Sequence, residues 1–308
     1  MMKPYVSLCI PTNGIVEWVK PVLESIYSQE VCLDEFEVVV TDNGNNVEFF
    51  NLATKYLNKY SNFVYKKTNA QGFLNQIDCF KLANGKLLKF VNHRMKLNQG
   101  TIEYLINFTK KYEDTKPVVY FSNGALNHIE YKEFCSFNDY IYNLGHYSSW
   151  SAGISFWKSD ISLLDKIESF NSLFPHTDLL FIDRKNSKYI IDNKLLLTSV
   201  GNVDSSKKGS YNLFYAFAVE YLNLIFQLYQ DKDITLSTFN HIKEENFKFI
   251  VSLHNEFVLR KKKCSYLLDN YKEYISKYYS YPKVLIFSMM LLMKSILSKI
   301  VRVITFKK

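Results

Sequence analysis

Four short polar stretches in the first third of this 308-residue chain hold residues able to grip a polar ligand. They are Pro11-Thr12-Asn13-Gly14, Thr41-Asp42-Asn43-Gly44-Asn45, Asn69-Ala70-Gln71-Gly72 and Asn92-His93-Arg94. Together they offer a hydroxyl, a carboxylate, several amides, an imidazole and a guanidinium. Each follows a short apolar run, so the four sets share one relation to the elements that carry them. Further along, Trp150 offers an aromatic face, and His176-Thr177-Asp178 offers an imidazole and a carboxylate beside each other.

The apolar runs are Val6–Ile10, Val38–Val40, Phe63–Tyr65 and Leu87–Val91, each short and β-rich in the manner of buried strands. Glu17–Gln29 carries Trp18, Val22, Leu23 and Ile26 at helical spacing, and Glu48–Tyr60 repeats that period. Leu74–Ala83 and Thr101–Tyr112 read as further helices, and Val118–Ser122 as a further strand. Strand, helix and strand in alternation predict an α/β fold with a mostly parallel sheet and right-handed crossovers. Open sheets of this kind bind ligands outside the carboxyl ends of their strands, where the four polar sets lie.

After residue 122 the pattern loosens. Asn123–Ser149 reads as an insertion or active-site cover, and Gly153–Trp157 as a strand. Phe174–Asp178 reads as a loop entering a helix at Leu179, with Thr177 or Asp178 as its N-cap. Ser210–Gln230 is a long apolar-rich helix. The loop-like Asp204–Gly209 suggests a boundary there, dividing the chain into residues 1–205 and a helical region 206–308.

A hydrophobic content of 47% with 22% charged residues describes a globular protein. The five cysteines lack paired spacing and read as small buried residues of a reducing compartment. No secretory leader is visible at residues 1–10, so a cytoplasmic location is expected. No nucleophile-elbow serine, phosphate-binding P-loop, zinc-protease helix or paired-cysteine motif occurs, and the six isolated histidines do not suggest zinc.

The first 200 residues resemble family 2 glycosyltransferases. The resemblance rests on Val6-Ser7-Leu8-Cys9-Ile10-Pro11-Thr12, on Val38-Val39-Val40-Thr41-Asp42-Asn43-Gly44, on Asn69-x-x-Gly72 and on Ala83-x-Gly85 before a strand. It implies a GT-A fold, Rossmann-like with a central mostly parallel sheet, followed here by a helical C-terminal region. It implies an enzyme of the type that builds bacterial O-antigen, capsule or other surface glycans from a nucleotide-sugar donor. By that resemblance Pro11 and Thr12 frame the nucleoside and Asp42 holds its base. Asn69 and Asn75 line the donor cleft; Asn69 reads equally well as a turn residue, while for Asp42 the ligand role is preferred over the turn role that Asp42-Asn43-Gly44 also allows.

The family's acidic metal motif follows the strand at Leu87–Val91, where this chain has Asn92-His93-Arg94 and no acid. A site for Mg²⁺ or Mn²⁺ is therefore in doubt, because hard cations prefer carboxylate oxygens. Arg94 with His93 then either supplies positive charge to the diphosphate, or the chain has lost metal-dependent catalysis and keeps only glycan or partner binding. Thr177-Asp178 takes the place of the family's Glu-Asp pair, which makes Asp178 the expected general base of an inverting transfer. Trp150 and His176 are the expected acceptor contacts.

The net charge of +8 belongs to the tail. Residues 260–308 hold twelve Lys or Arg against Asp269 and Glu273, so the other 259 residues are slightly acidic. Residues 283–306 read as a basic amphipathic helix, with Ile300, Val301 and Ile304 among its apolar positions and Lys294, Ser295, Ser298, Lys299 and Arg302 on a polar side. Its uncharged stretch, Val284–Met293, is shorter than the roughly 20 residues a membrane span needs. The expected partners are a nucleotide sugar, a glycan or lipid-linked acceptor, and the inner face of a membrane. A nucleic acid is not expected, because no stacking motif accompanies the charge. A homo-oligomer is compatible with the sequence.

Overall fold

A computed structural model of the chain describes residues 3–126, 129–201, 206 and 208–305, and the side chains of its last helix as far as Ser298. The chain divides into two compact units, residues 1–203 and 204–308.

Among the described residues, the first unit holds ten strands: β1 (Val6–Thr12), β2 (Phe36–Asp42), β3 (Phe63–Lys67), β4 (Leu87–Phe90), β5 (Met95–Leu97), β6 (Val118–Phe121), β7 (Tyr131–Phe134), β8 (Ser155–Trp157), β9 (Tyr189–Asp192) and β10 (Leu197–Ser199). The main sheet has the order β3-β2-β1-β4-β8. Its first four strands are parallel, and β8 runs antiparallel to β4. The helices α1 (Val16–Tyr27), α2 (Val47–Lys59), α3 (Asn75–Leu82) and α4 (Thr101–Tyr112) alternate with these strands. Their periodic apolar residues explain the packing. Val19, Val22, Leu23 and Ile26 of α1 are fully buried against the strand residues Leu8, Ile10, Val38 and Val40. Burying each such side chain stabilises the fold by about 1.5–3 kcal/mol relative to exposure.

Chain order and sheet order part company at β1. The chain moves outward from β1 to β2 and β3, then returns to place β4 on the other side of β1. The register of β4 is held by a buried polar cluster at the amino end of the sheet. The Glu37 carboxylate of β2 accepts from the Ser7 hydroxyl of β1 at 2.5 Å, from Gly85 N at 3.0 Å and from Asn84 N. Gly85 N also lies 2.7 Å from Ser7 Oγ. A Cβ on residue 85 would fall 2.6 Å from Ser7 Oγ and 2.7 Å from backbone atoms of Val6 and Ser7, so glycine alone fits this approach.

Residues 123–149 differ from the expected cover. They contribute β7 and the helix α5 (Phe137–Leu144), whose Tyr140, Ile141 and Leu144 are fully buried. β6 and β7 flank β9 in a second sheet of three strands, and β5 pairs with β10. Short strands interleaved with polar turns hid this sheet from the periodicity. The helix expected at Leu179 instead begins at Pro175, as α6 (Pro175–Leu180), with Phe174 in the N-cap place. Thr177 and Asp178 are therefore inside the helix and do not cap it. Cys9 and Cys79 are buried as expected, but Cys32 and Cys135 are exposed.

The second unit is helical. It contains α7 (Leu213–Tyr215), which runs through a π-helical stretch, Ala216–Glu220, into α8 (Tyr221–Gln230). It continues with α9 (Leu236–Leu253), a π-helical turn at His254–Leu259, α10 (Tyr271–Ser276) and α11 (Tyr281–Thr305). Residues 204, 205 and 207 of the expected 204–209 boundary loop lie outside the described residues.

The α11 helix departs in part from the expected amphipathic arrangement, since Lys294 and Ser298 are exposed but Ser295 is half-buried. Val284 and Ser288 are buried, and the half-buried Tyr281, Leu285, Leu292 and Ser295 continue their stripe. That stripe packs on α9 and the π-helical turn, where Asn255 Nδ2 donates to Ser288 O at 2.7 Å. Ile286, Met289, Met290, Met293, Ile296 and Leu297 all face outward, and each is about half exposed or more. Lys283 and Lys294 adjoin this apolar face on one side, and Ser298 is exposed. The side chains of Lys299, Ile300, Val301, Arg302 and Ile304 are outside the described set. By length and composition alone, Tyr281–Ser298 is long and apolar enough to cross a membrane, although its uncharged stretch is the shorter Val284–Met293.

His254 is the least satisfied polar residue of this unit. It is fully buried, and neither ring nitrogen has a hydrogen-bond partner. Its ring is enclosed by Phe214, Tyr271 and Tyr281 at centroid distances of 6.4, 5.7 and 5.8 Å. Burial lowers its pKa below the ordinary value, so the folded state holds it neutral. In the unfolded chain the same imidazole takes up a proton near pH 6.5, so stability is lost as pH falls below that value. Urea titrations at neutral and mildly acid pH are expected to show a smaller acid-induced loss in His254→Leu than in the unaltered protein. Equal losses in the two proteins would refute this account of His254.

Candidate active site

The carboxyl ends of β1, β2 and β3 are tied together by side chains from their own loops. Thr12 and Asp42 are paired neighbours at the ends of β1 and β2, as are Pro11 and Thr41. Asp42 is buried, and its carboxylate accepts from Gly44 N at 2.8 Å, from the Tyr65 hydroxyl at 3.1 Å and from Lys67 Nζ at 3.3 Å. The turn role and a carboxylate held at the strand end thus coexist. Gly44 lies so close to Asn13 that a Cβ there would sit 1.9 Å from Asn13 O.

Asn75 is buried at the start of α3 and is spent on the scaffold. Its amide donates to Thr41 O at 2.9 Å and Thr12 O at 3.2 Å, and accepts from the Thr68 hydroxyl at 2.9 Å. Asn43 bridges to Ala70 O and Gly72 O at 2.9 and 3.0 Å. Asn69 lies exposed in the loop these bonds hold. Asn75 therefore shapes this edge from beneath, whereas Asn69 stands at its rim.

The point where chain direction reverses lies between β1 and β4, and there Asn92, His93 and Arg94 meet Thr12. His93 Nδ1 lies 2.8 Å from Thr12 Oγ1, which also accepts from Gly14 N at 3.0 Å. If Thr12 donates its own proton to Nδ1, all three groups are satisfied and His93 carries its N–H on Nε2. Burial, with the neighbouring Arg94 charge, pushes the His93 pKa down to about 3. The imidazole is thus neutral at physiological pH, which corrects the expectation that His93 shares in supplying positive charge. Of the pair, Arg94 is the one that stays charged.

Arg94 is held in place on two sides. Its guanidinium stacks over the Trp18 ring at 5.2 Å, and Nε donates to Asn92 Oδ1 at 3.3 Å. Asn92 Oδ1 also accepts Arg94 N at 3.1 Å. His93 meets the edge of the same Trp18 ring at 5.3 Å. Trp18, read from sequence only as a core position of α1, thus supports both residues. Its signal was indistinguishable from ordinary helical periodicity.

The later candidates form a second group. Asp178 is half-buried in the first turn of α6, and its Oδ2 accepts Asn171 N at 2.6 Å. Thr177 is fully buried and donates to Ser148 O at 3.1 Å. His176 Nε2 lies 2.8 Å from Ser149 O, and a carbonyl can only accept, so the proton is on Nε2. Its Nδ1 is buried without a partner, and burial lowers its pKa to about 4. Trp150 is exposed and meets Tyr147 edge-to-face at 4.5 Å. α6 packs against α3, the helix that Asn75 begins.

Lys89 escaped notice because its strand read as uniformly apolar. It is buried three residues before Asn92, and its ammonium donates to Phe90 O, Ala152 O and Ile154 O at 2.9, 2.6 and 3.3 Å. Desolvation lowers its pKa to about 7. A shallow depression of about 310 Å³ is lined by Asp114, Lys116, Asp160, Asp183 and Asn186. None of these residues lies at a carboxyl end of the main sheet, so the depression is separate from the groups above.

No protein-family model matches the sequence, and no curated protein matches it. Solved structures do. TarS of S. aureus aligns at a TM-score of 0.54 and 19% identity over 83% of this chain, which spans 45% of the TarS chain. The 1–349 portion of TarS aligns at 0.51 and 16% identity, covering 89% of this chain and 90% of that one. The mannosyltransferase PcManGT of Pyrobaculum calidifontis, solved with GDP-Man and Mn²⁺, aligns at 0.51 and 12% identity, covering 94% and 87%. The sheet order, the reversal at β1 and these neighbours agree: the chain has the GT-A-like α/β fold of glycosyltransferases.

Proposed function

We propose that the chain is an inverting glycosyltransferase that passes a sugar from a nucleoside diphosphate donor to a hydroxyl of a bacterial surface polysaccharide or lipid-linked glycan. The observation that carries this reading is the group at the reversal point of the sheet. Arg94 lies on Trp18 and His93 on Thr12, with the Asp42 carboxylate one strand away. The mannosyltransferase that shares the fold holds a nucleotide sugar, which supports a donor of that class here.

In this reading the nucleoside lies along Pro11, Thr12 and Asp42, with Asn69 at the outer rim. Arg94 faces the diphosphate and balances the charge that grows on it as the bond to the sugar breaks. His93 donates its Nε2–H as a neutral partner, with Asn92 holding Arg94 in place. Asp178 takes the proton of the acceptor hydroxyl as that oxygen attacks the anomeric carbon. Trp150 supports the acceptor, and His176 acts through the loop it holds.

The residues at this strand end do not fit a divalent cation. Asn92 Oδ1 is engaged by Arg94, His93 Nδ1 faces Thr12, and a guanidinium already brings positive charge. Among the described residues, no group of three His, Cys, Asp or Glu is suited to hold a metal. A second reading, a non-catalytic glycan-binding member of the fold, draws on one observation. Thr177 stands where the family pattern has an acid, and it is buried and bonded to backbone.

Nucleoside diphosphates and their sugars are expected to raise the melting temperature equally with chelator and with Mn²⁺. Arg94→Ala should weaken diphosphate binding about 10- to 100-fold while changing nucleoside binding little, measured by calorimetry. Asp178→Asn should keep donor binding and lose transfer by about 10²–10⁴-fold. Binding that appears only with metal would overturn the role of Arg94. Donor binding without turnover across many acceptors would favour the second reading.

The proposal includes a cytoplasmic protein held on the inner membrane face by α11. The outward Ile286, Met289, Met290 and Met293, flanked by Lys283 and Lys294, suit an anionic lipid interface. The full chain is expected to sediment with anionic vesicles and less with neutral ones. Ile286→Glu combined with Met293→Glu should reduce that binding about tenfold or more without unfolding the protein. Unchanged sedimentation in the double variant would remove α11 from the attachment.

A further inference from the structure

The segment from Tyr147 to Ile154 turns its backbone carbonyls inward onto buried side chains. The Tyr120 hydroxyl lies 2.6 Å from Tyr147 O and 3.0 Å from Trp150 O. Thr177 Oγ1 donates to Ser148 O, and His176 Nε2 to Ser149 O. The Lys89 ammonium donates to Ala152 O and Ile154 O, and its third proton reaches Phe90 O within its own strand. Six carbonyls within eight residues are thus held by four side chains from β4, β6 and α6, each nine-tenths buried or more.

Surface loops ordinarily leave such carbonyls to water and move accordingly. This one is fixed from beneath. Gly153 rests on the Tyr120 ring so closely that a Cβ would fall 2.1 Å from Cζ, which fixes the loop's height as well as its path. A buried ammonium carries a desolvation cost that an apolar residue at position 89 would avoid. Its three donors match three carbonyls, which is a means of fixing geometry. The side chain left facing outward is Trp150, 41% exposed, with its indole braced by Tyr147 at 82°.

We propose that residues 147–154 form a preset platform on which the Trp150 indole stacks against a pyranose ring of the acceptor glycan, with Lys89 and Tyr120 as its positioning residues. This rests on the glycosyltransferase reading and extends it by naming what fixes the acceptor side. An aromatic face held in one orientation suits the apolar C–H face of a sugar ring, because little motion is lost on binding. Lys89 acts through Ala152 and Ile154, and Tyr120 through Tyr147 and Trp150, so neither needs to touch the ligand. The same β4 strand leads from Lys89 into Asn92-His93-Arg94, which sets the platform and the diphosphate-facing group on one rigid element.

The test labels the full-length protein with 5-fluorotryptophan and follows three ¹⁹F resonances, from Trp18, Trp150 and Trp157, with Trp150 assigned through Trp150→Phe. Methyl glycosides of glucose, galactose, mannose and N-acetylglucosamine are titrated as probes. At least one is expected to shift the Trp150 resonance and leave that of Trp157 in place. Tyr120→Phe, which removes a single oxygen, and Lys89→Met should each broaden the free Trp150 signal and weaken the glycoside about fivefold or more. Nucleoside diphosphate affinity should stay within about twofold. The platform is overturned if no glycoside moves Trp150, if both variants bind as tightly as the unaltered protein, or if glycoside and nucleotide binding fall together. A Trp150 response in a protein that binds no nucleoside diphosphate would keep the platform and sink the donor reading instead.

Discussion

The register of β4 against β1 is the constraint on which the candidate site depends. A buried carboxylate, Glu37, gathers the Ser7 hydroxyl and the amides of Asn84 and Gly85 at the amino end of the sheet. With that end fixed, Cys9 pairs with Phe90. The same offset carried three residues onward brings Thr12 beside His93, where the hydrogen bond between them is found. A slip of one residue would turn alternate side chains to opposite faces, and His93 would no longer meet Thr12. The geometry of the edge that carries the candidate site is thus set at the opposite end of the sheet.

That edge also carries an unusual charge arrangement for its fold type. Where the family pattern has acids, the chain has one cation braced by an indole and an amide, beside an imidazole that burial keeps neutral. A guanidinium stacked on an aromatic face is held with less freedom than an exposed arginine, and it offers a planar pair of donors to phosphate oxygens. The Asp42 carboxylate sits at the end of β2, on the far side of β1, matched by Lys67, Tyr65 and Gly44. Opposite charges therefore flank the end of β1, each with its own partners.

Much of this was legible in the sequence, for physical reasons. Strands of four to seven mostly apolar residues, alternating with helices of clear period, marked out the first four strands and the polar groups at their ends. The second sheet was not legible, because β7 and β9 are four-residue strands embedded in polar turns. Asn75 and Asn69 looked alike as residue types, and only burial separates the amide that ties three strands from the one at the rim. Lys89 was passed over because one cation in an apolar strand does not reveal whether carbonyls await it. In α11 Ser295 and Ser298 suggested one polar side; Ser298 is exposed, but Ser295 is half-buried, Ser288 is buried against α9 and the methionines face outward. Composition alone could not give that orientation.

The inward-turned carbonyls of residues 147–154 carry a consequence for how such a chain can diverge. The path of this segment is encoded in side chains beneath it, and hardly at all in the residues that point away from it. In the proposed platform, replacing Trp150 would change what the surface recognises and leave its frame in place. Recognition and framework are therefore separable under mutation, so lineages sharing this scaffold can drift in preference through few substitutions, each nearly neutral for folding.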